Sequence, residues 1–287
     1  MNYRHAFHAG NHADVLKHVA LLAILDALQE KEAGCFVLDT HAGRGRYALT
    51  GDESRKTGES GLGIARLAAG GAMPPAVARY LQAVAAHNPP GAWDVYPGSP
   101  LLAADALRAQ DRLAACELEP GEAAALKALF AADPRVAVHA RDGYDAIKAL
   151  LPPRAGAVRY ARGLVLIDPP YEAQDAEYPQ VLQALQEILA RWPQAVCAVW
   201  YPIKRRRSLL PFLRKAAALP ARSALVAELL VRRDDSPLRL NGSGMLLLNP
   251  PWKLEERLAP ALPALQRTLE EDPNAGAWRL EFLRAPG

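Results

Sequence analysis

The apolar run GLVLIDPPYE (residues 163–172) delivers an acid, two prolines and a tyrosine, Asp168-Pro169-Pro170-Tyr171, to what reads as the carboxyl end of a buried strand. Ligands of open α/β sheets bind beyond that end. The prolines have no N–H and a restricted φ, so the backbone is stiff and the Pro169 carbonyl can face a site instead of the sheet. The Asp168 carboxylate and that carbonyl form a pair of fixed acceptors for the two hydrogens of an adenine amino group, with the Tyr171 ring as a stacking surface. An aromatic exocyclic amine is a poor nucleophile because its lone pair is delocalised into the ring. Two acceptors on its hydrogens favour a more tetrahedral nitrogen, whose lone pair can attack a sulfonium methyl in line while Asp168 holds or removes the released proton.

A second copy of the pattern, Asn249-Pro250-Pro251-Trp252, follows GSGMLLL. Asn can also serve as an acceptor. It ends the seventh expected strand, however, whereas Asp168 ends the fourth, which should lie beside the first where the strand order reverses and cofactors bind. Asp168 is therefore the expected catalytic copy, and Asn249 an end-of-strand turn.

Three more groups stand at expected strand ends. Asp39-Thr40-His41-Ala42-Gly43-Arg44-Gly45 follows the first strand, with glycines that permit close backbone approach to a ligand. Glu117 ends the second strand, where an acid can accept hydrogen bonds from ribose hydroxyls. Asp142-Gly143 follows the third and suits an adenine ring edge. Four acids in chain order, Asp39, Glu117, Asp142 and Asp168, point to one cleft holding a cofactor. The spacing lacks G-x-G-x-x-G and the chain lacks G-x-x-x-x-G-K-[ST], which argues against dinucleotide dehydrogenases and P-loop NTPases. Cys35, Cys116 and Cys197 all sit inside apolar runs, so a nucleophilic cysteine for cytosine chemistry is not expected; buried, reduced thiols are.

The N-terminus carries Tyr3, Arg4, His5, His8, His12, Lys17 and His18. His8 and His12 have helical ligand spacing but no third ligand, and no metal site is expected. The run Lys204-Arg205-Arg206-Arg207 lies at the same expected sheet edge as Asp168; it suits RNA phosphates, and equally a solvated helix start.

The elements that must position these groups alternate along most of the chain, as in a mainly parallel sheet covered by helices. Seven strands are expected: Cys35 to Asp39, Leu113 to Glu117, Val136 to Ala140, Leu164 to Asp168, Val196 to Trp200, Ala224 to Val231 and Met245 to Asn249. Helices are expected over Asp14 to Lys31, Pro100 to Ala109, Pro120 to Ala131, Gly143 to Leu150, Tyr178 to Arg191, Arg205 to Ala217 and Leu254 to Leu269, the last interrupted by Pro260 and Pro263. About sixty residues separate the first strand from the helix near Pro100, far beyond the usual strand-to-helix loop. A helical insertion over residues 50–97 is implied, carried by residues 1–49 and 98–287, with residues 1–31 as an N-terminal helical motif.

The chain is 51% hydrophobic and 23% charged, the balance of a globular protein with a filled core. A net charge of +3 permits contact with a polyanion without requiring it, so a local patch must decide. No run has the length or apolarity of a signal peptide or a membrane span, and a cytoplasmic protein is expected.

Nearly end to end, the chain resembles the RlmJ family of 23S rRNA adenine N6-methyltransferases, which modify adenine 2030. The likeness rests on YRHAFHAGNHADVLKH, LDTHAGRGRY, YPGSPLLA, CELEP, RDGYDAI, LVLIDPPYE, VWYPI and SGMLLLNPPWKLE. It implies a Rossmann-like class I methyltransferase with a small helical insertion, acting as a monomer on naked or incompletely assembled 23S rRNA with S-adenosylmethionine as cofactor. By motif, it implies a cofactor site of Lys17, His18, His41, Ser99, Glu117, Asp142, Gly143 and Asp168, with Asp168 also the proton acceptor and Tyr3 meeting the RNA. From the residues alone, Ser99 reads as a turn or helix-cap residue. Two other readings remain open at this level: an amine acceptor in DNA or protein, and an RNA-binding protein that keeps the fold without catalysis.

Overall fold

The computed structural model describes residues 9–49, 59–171, 174–237, 240–272 and 275–286. Helix α1 (His12–Gln29) opens the described chain, and the Asn11 side chain caps it by accepting from the backbone N–H groups of Ala13 and Asp14. It is buried almost all round. Leu16, Leu21, Ile24 and Leu25 are each at most 1% exposed, and each such side chain removed from water contributes about 1.5–3 kcal/mol.

Strands β1 (Phe36–Asp39), β4 (Arg112–Glu117), β5 (Val136–Ala140), β8 (Gly163–Ile167), β9 (Val196–Ile203), β10 (Ala224–Leu230), β11 (Gly242–Leu248) and β12 (Ala277–Arg284) form one sheet in the order β12-β10-β11-β9-β8-β1-β4-β5. The five strands from β5 to β9 are parallel, while β11, β10 and β12 join by antiparallel pairing. Because β8 and β1 are covered on both faces, FVLD and GLVLI are buried throughout, which is why they read as continuous apolar runs. Phe36 and Leu38 enter the core on one face, with the helices Gly143–Leu150, Gln174–Arg191 and Arg206–Ala217; Val37 enters the other, with α1 and the helices Ser99–Ala106, Pro120–Leu129 and Ala261–Leu269.

The seven expected strands are all present, and the sheet has an eighth. Its segment, AWRLEFLR, alternates apolar and charged residues at a half-exposed sheet edge and so lacks the apolar run that marks the others. The helical pattern near the C-terminus splits into Leu254–Leu258 and Ala261–Leu269; Pro260 sits at the break, and Pro263 is tolerated in the first turn of the second helix.

Two short hairpins lie outside the sheet: β2 (Arg46–Ala48) with β3 (Val95–Pro97), and β6 (Arg154–Ala155) with β7 (Val158–Arg159). The first pins the two ends of the long excursion together. Within the excursion, Leu67 on the helix Ile64–Ala68 and Val77, Tyr80 and Val84 on the helix Pro75–Ala85 are fully buried in the same core as α1. Among the described residues no helix is long and apolar enough to cross a membrane.

Candidate active site

The chain runs outward from β1 in both directions, to β4 and β5 on one side and to β8 and β9 on the other. The crevice at this reversal, beyond the carboxyl ends of β1 and β8, is where an open α/β sheet binds its ligands. A cleft of about 660 Å³ lies there. Asp168, Pro169 and Pro170 line it together with Lys17, His41, Ser99, Glu117, Asp142 and Gly143.

Asp168 is the first residue past β8. Its Oδ2 accepts from the Lys17 ammonium at 2.5 Å, a contact spanning 151 positions of sequence that α1 delivers. Asp14 Oδ1 lies 2.8 Å from the same Lys17 Nζ. Burial works against the Lys17 ammonium, yet the two carboxylates outweigh it and hold its pKa well above the ordinary value. Lys17 therefore stays charged although it is almost fully buried in the cleft wall.

The loop after β1 is stitched to both neighbouring strands. The Thr40 amide and hydroxyl both donate to the Leu166 carbonyl, at 3.1 and 2.9 Å, and the Ala42 amide donates to the Cys116 carbonyl at 2.9 Å. Since the Thr40 hydroxyl hydrogen is committed to Leu166, its oxygen accepts from His41 Nδ1 at 2.8 Å, which leaves His41 Nε2 as an acceptor. Burial pushes the His41 pKa down to about 4 against the pull of Asp168 and Asp142, so the imidazole is neutral near pH 7. Gly43 has φ +60°, and a Cβ there would meet the Tyr47 hydroxyl at 2.2 Å, so this turn requires glycine. Its amide donates to Glu117 Oε2 at 2.8 Å, and the Glu119 amide donates to Glu117 Oε1 at 2.7 Å.

Asp39, 1% exposed, accepts from the Ser99 hydroxyl at 2.7 Å and the His41 amide at 3.3 Å. Burial raises its pKa to about 6, with the Asp168 charge adding to the effect and Ser99, Lys17 and the His41 amide opposing it. Asp142 caps the helix Gly143–Leu150 by accepting from the amides of Tyr144 and Asp145 through Oδ1, and its Oδ2 takes no part in the cap. Gly143 is required by packing: a Cβ would lie 1.9 Å from the Thr40 carbonyl oxygen, so this helix could not approach the β1 loop.

Other expected residues are not gathered into the cleft. Tyr171 has φ +45°, is 6% exposed, packs its ring against Tyr178 and Trp200, and donates from its hydroxyl to the Trp200 carbonyl at 2.8 Å. The stacking surface expected of it is thus turned into the core, because the left-handed backbone at Tyr171 points the ring away from the prolines' side. His18 lies behind the cleft wall, with Nδ1 2.7 Å from the Tyr96 hydroxyl. In the basic run, Arg206 turns inward to the fully buried Glu228, with Nε 3.1 Å from Oε2, while Lys204, Arg205 and Arg207 are exposed just past β9. Tyr3 and Arg4 lie outside the described residues. All three cysteines are free and buried, and among the described residues no group of three or more His, Cys, Asp or Glu is placed to hold a metal ion.

Several cleft residues lie in or near the motifs but have no individual role that the sequence could assign. Arg44 pairs with Glu122 across the cleft's outer wall, Nη2 to Oε1 at 2.5 Å, and the Tyr144 hydroxyl donates to Glu177 Oε1 at 2.6 Å, joining two helices over it. Leu118, 51% exposed, gives the lining an apolar surface beside Glu117. Only the position of Leu118 after a strand-end acid could have flagged it; the two polar pairs join elements far apart in sequence.

The family described as ribosomal RNA large subunit methyltransferase D, RlmJ, matches residues 32–284. The chain is 42% identical over 284 residues to the ribosomal RNA large subunit methyltransferase J of Haemophilus influenzae, covering 99% of both. It is 40% identical over 269 residues to the protein of the same name from Escherichia coli, covering 94% of both. The crystal structure of a Legionella pneumophila protein matches with a TM-score of 0.84 at 31% identity, over 96% of this chain and 98% of that one. With a matched span that takes in the β1 loop, Glu117, Asp142 and Asp168, this chain belongs to the RlmJ family of ribosomal RNA large subunit methyltransferases.

Proposed function

We propose that this protein transfers a methyl group from S-adenosylmethionine to the N6 amine of an adenine in 23S rRNA, with Asp168 as proton acceptor. The observation that carries the reading is the meeting, in one cleft at the strand-order reversal, of Asp168-Pro169 with the acid that ends β4, the acid that follows β5 and the loop that follows β1. The cleft suits this cofactor in size and charge: about 660 Å³, lined by Glu117, Asp142 and Asp168, with Asp39 beside them. Glu117, both of whose oxygens are oriented by backbone N–H groups, is set to hold the ribose hydroxyls, Asp142 Oδ2 the adenine edge, and Leu118 an apolar ring face. When bound, S-adenosylmethionine supplies an electrophilic methyl on a sulfonium.

The target adenine must leave its stack to reach this depth. Asp168 and the Pro169 carbonyl then accept from the two N6 hydrogens, which frees the nitrogen lone pair for attack. As the N–C bond forms, one N6 proton passes to Asp168. Lys17 fixes the Asp168 carboxylate through Oδ2. Tyr171 acts as a positioning residue, anchoring the end of the tetrapeptide to β9 through Trp200. The exposed Lys204 and Arg205 at the same sheet edge, with Tyr3 and Arg4, are assigned to the RNA backbone and substrate. As the likeness to the family implies, the proposed substrate is naked or incompletely assembled 23S rRNA, met in the cytoplasm by a monomer.

The test is methyl transfer to transcribed 23S rRNA, assembled large subunits and matched DNA, with the product identified by nucleoside mass spectrometry. N6-methyladenine on naked 23S rRNA, lost in Asp168→Ala, is expected. Equal transfer to DNA, or methylation at another atom, overturns the reading.

A further inference from the structure

The basic run past β9 holds its cations in two ways. Lys204, Arg205 and Arg207 are exposed, and among the described residues no carboxylate pairs with their side chains. The arginines of the next loop are neutralised instead, Arg232 by Glu271 and Arg233 by Asp235. Arg206 alone in the run is drawn inward, and the sheet is built to receive it. Tyr201, Gly244, Glu228 and Arg279 stand opposite one another on β9, β11, β10 and β12, one row across neighbouring strands. Gly244 keeps the row open: a Cβ there would lie 2.3 Å from Tyr201 Cζ, so glycine lets the tyrosine ring cross β11. The Tyr201 hydroxyl then donates to Glu228 Oε1 at 2.9 Å, while Oε2 lies 3.1 Å from Arg206 Nε and 3.7 Å from Arg279 Nη1.

Burying a carboxylate is costly, and an apolar row would hold the sheet at least as well. Arg279 has an acid of its own in Glu281, at 2.7 Å, so the partner that depends on Glu228 is Arg206. Their contact is an ion pair without hydrogen-bond alignment, so the charge of Glu228 is what holds it. Backbone ties fix the same run. Asp234 Oδ1 accepts from the Arg206 amide at 2.6 Å, and the buried Asn241 donates from Nδ2 to the Lys204 carbonyl at 2.8 Å. The register Ile167↔Val199 sets Asp168 level with Trp200, and Lys204 stands four residues further out, roughly 13 Å along the strand. That is the outer level, where the backbone of an RNA whose base reaches Asp168 would run.

We infer that Glu228 is a positioning residue for RNA binding. Through Arg206 it presents Lys204, Arg205 and Arg207 as a fixed set of phosphate contacts, and neither Glu228 nor Arg206 touches the RNA. Cations held in place lose less freedom on binding than cations on a loose loop. The inference rests on the assignment of this run to the RNA backbone. Charge alone predicts the opposite sign: removing a carboxylate makes this edge more positive and would strengthen binding to a polyanion.

The experiment measures binding of a 23S rRNA transcript to the full chain over a range of salt concentrations, with KM and kcat for methyl transfer, in a double-mutant cycle. Glu228→Gln keeps the shape and the acceptor for Tyr201 but removes the charge. It is expected to weaken binding about fivefold and make the salt slope shallower by about 1, the loss of one phosphate contact. KM for the RNA should rise by the same factor with kcat kept. Changing Lys204, Arg205 and Arg207 together to Gln should weaken binding further, and adding Glu228→Gln to that variant should change nothing more, because both act through the same cations. If Glu228→Gln does not fold, Asp234→Ala, at the surface, removes the tether on the Arg206 amide and is read in the same cycle. Unchanged or tighter RNA binding in the folded variant overturns the proposal, and so does an equal loss in the background lacking the three cations. Undiminished binding by the variant lacking the three cations would instead overturn the assignment of the run to RNA.

Discussion

Asp168-Pro169-Pro170-Tyr171 and Asn249-Pro250-Pro251-Trp252 each follow a fully buried strand of the same sheet, and they stand at opposite edges of it. β8 runs parallel to β1, so Asp168 emerges at the reversal crevice. β11 runs antiparallel to β9 and ends with Leu248 opposite Cys197, near the start of β9, so Asn249 emerges where the parallel strands begin. Their polar groups differ accordingly. The Asn249 amide is consumed by backbone: Oδ1 accepts from the Arg222 amide at 2.7 Å, and Nδ2 donates to the carbonyls of Ala195 at 2.9 Å and Pro193 at 3.1 Å. Asp168 is instead held by a side chain, Lys17, at the wall of a cleft. The same tetrapeptide logic thus serves as a clamp at one edge and a reactive group at the other, and strand direction chooses between them. Both motifs carry one left-handed residue, Tyr171 at φ +45° and Asn249 at φ +51°, but at opposite ends of the tetrapeptide. One turns the aromatic ring inward; the other lets the Trp252 ring stand 78% exposed.

The widest gap between the motifs should come from exchanging their acceptors. Asp168→Asn is expected to cut methyl transfer by roughly 10²–10⁴-fold in single-turnover assays, the usual contribution of a positioned base. Its melting temperature should stay near wild type, because Lys17 keeps Asp14. Asn249→Asp removes two donated hydrogen bonds and places an acid against two carbonyls. It should cost about 2–4 kcal/mol in urea unfolding, with transfer per folded molecule unchanged. Equal loss of turnover in both variants would break the contrast.

Titration offers a further separation, because the shifted groups described above lie at the Asp168 edge. His41 has a folded pKa of about 4, below its ordinary 6.5, so it contributes stability above pH 6.5 that is lost as the pH falls through 4. Asp39, raised from 3.8 to about 6, acts in the opposite sense: its burial penalty is present above pH 6 and relieved on acidification. His41→Gln should therefore gain stability relative to wild type between pH 6.5 and pH 4, measured by urea unfolding at both limits. A constant difference would remove His41 from the acid response.

Smaller effects come from the aromatic ends. Tyr171→Phe loses the bond to the Trp200 carbonyl and should cost about 1 kcal/mol in unfolding while retaining most transfer. Trp252→Ala should change stability by less than about 0.5 kcal/mol, and transfer not at all. A large loss of transfer in Tyr171→Phe would return that ring to the reacting base.

The strands that position the cleft were legible because a strand covered on both faces must be apolar along its whole length, as FVLD and GLVLI are. β12 was not, because a half-exposed edge strand alternates and carries charge. Asp39, Glu117, Asp142 and Asp168 were legible as acids at the ends of such runs. Their partners were hidden by distance along the chain: Ser99 bonds Asp39 across 60 positions, and Gly143 is dictated by the Thr40 backbone.

By itself, the sequence determined where apolar segments stop and which polar groups stand at those stops, and from those residue types the chemistry of an amine acceptor. Only the tertiary structure decided that Tyr171 faces the core, that Asn249 lies at the far edge, and that α1 brings Lys17 and Asp14 to Asp168. The physical reason is that burial is written locally, in the periodicity of each element. Strand direction and the partner of a buried charge are set by pairings between elements far apart in the chain.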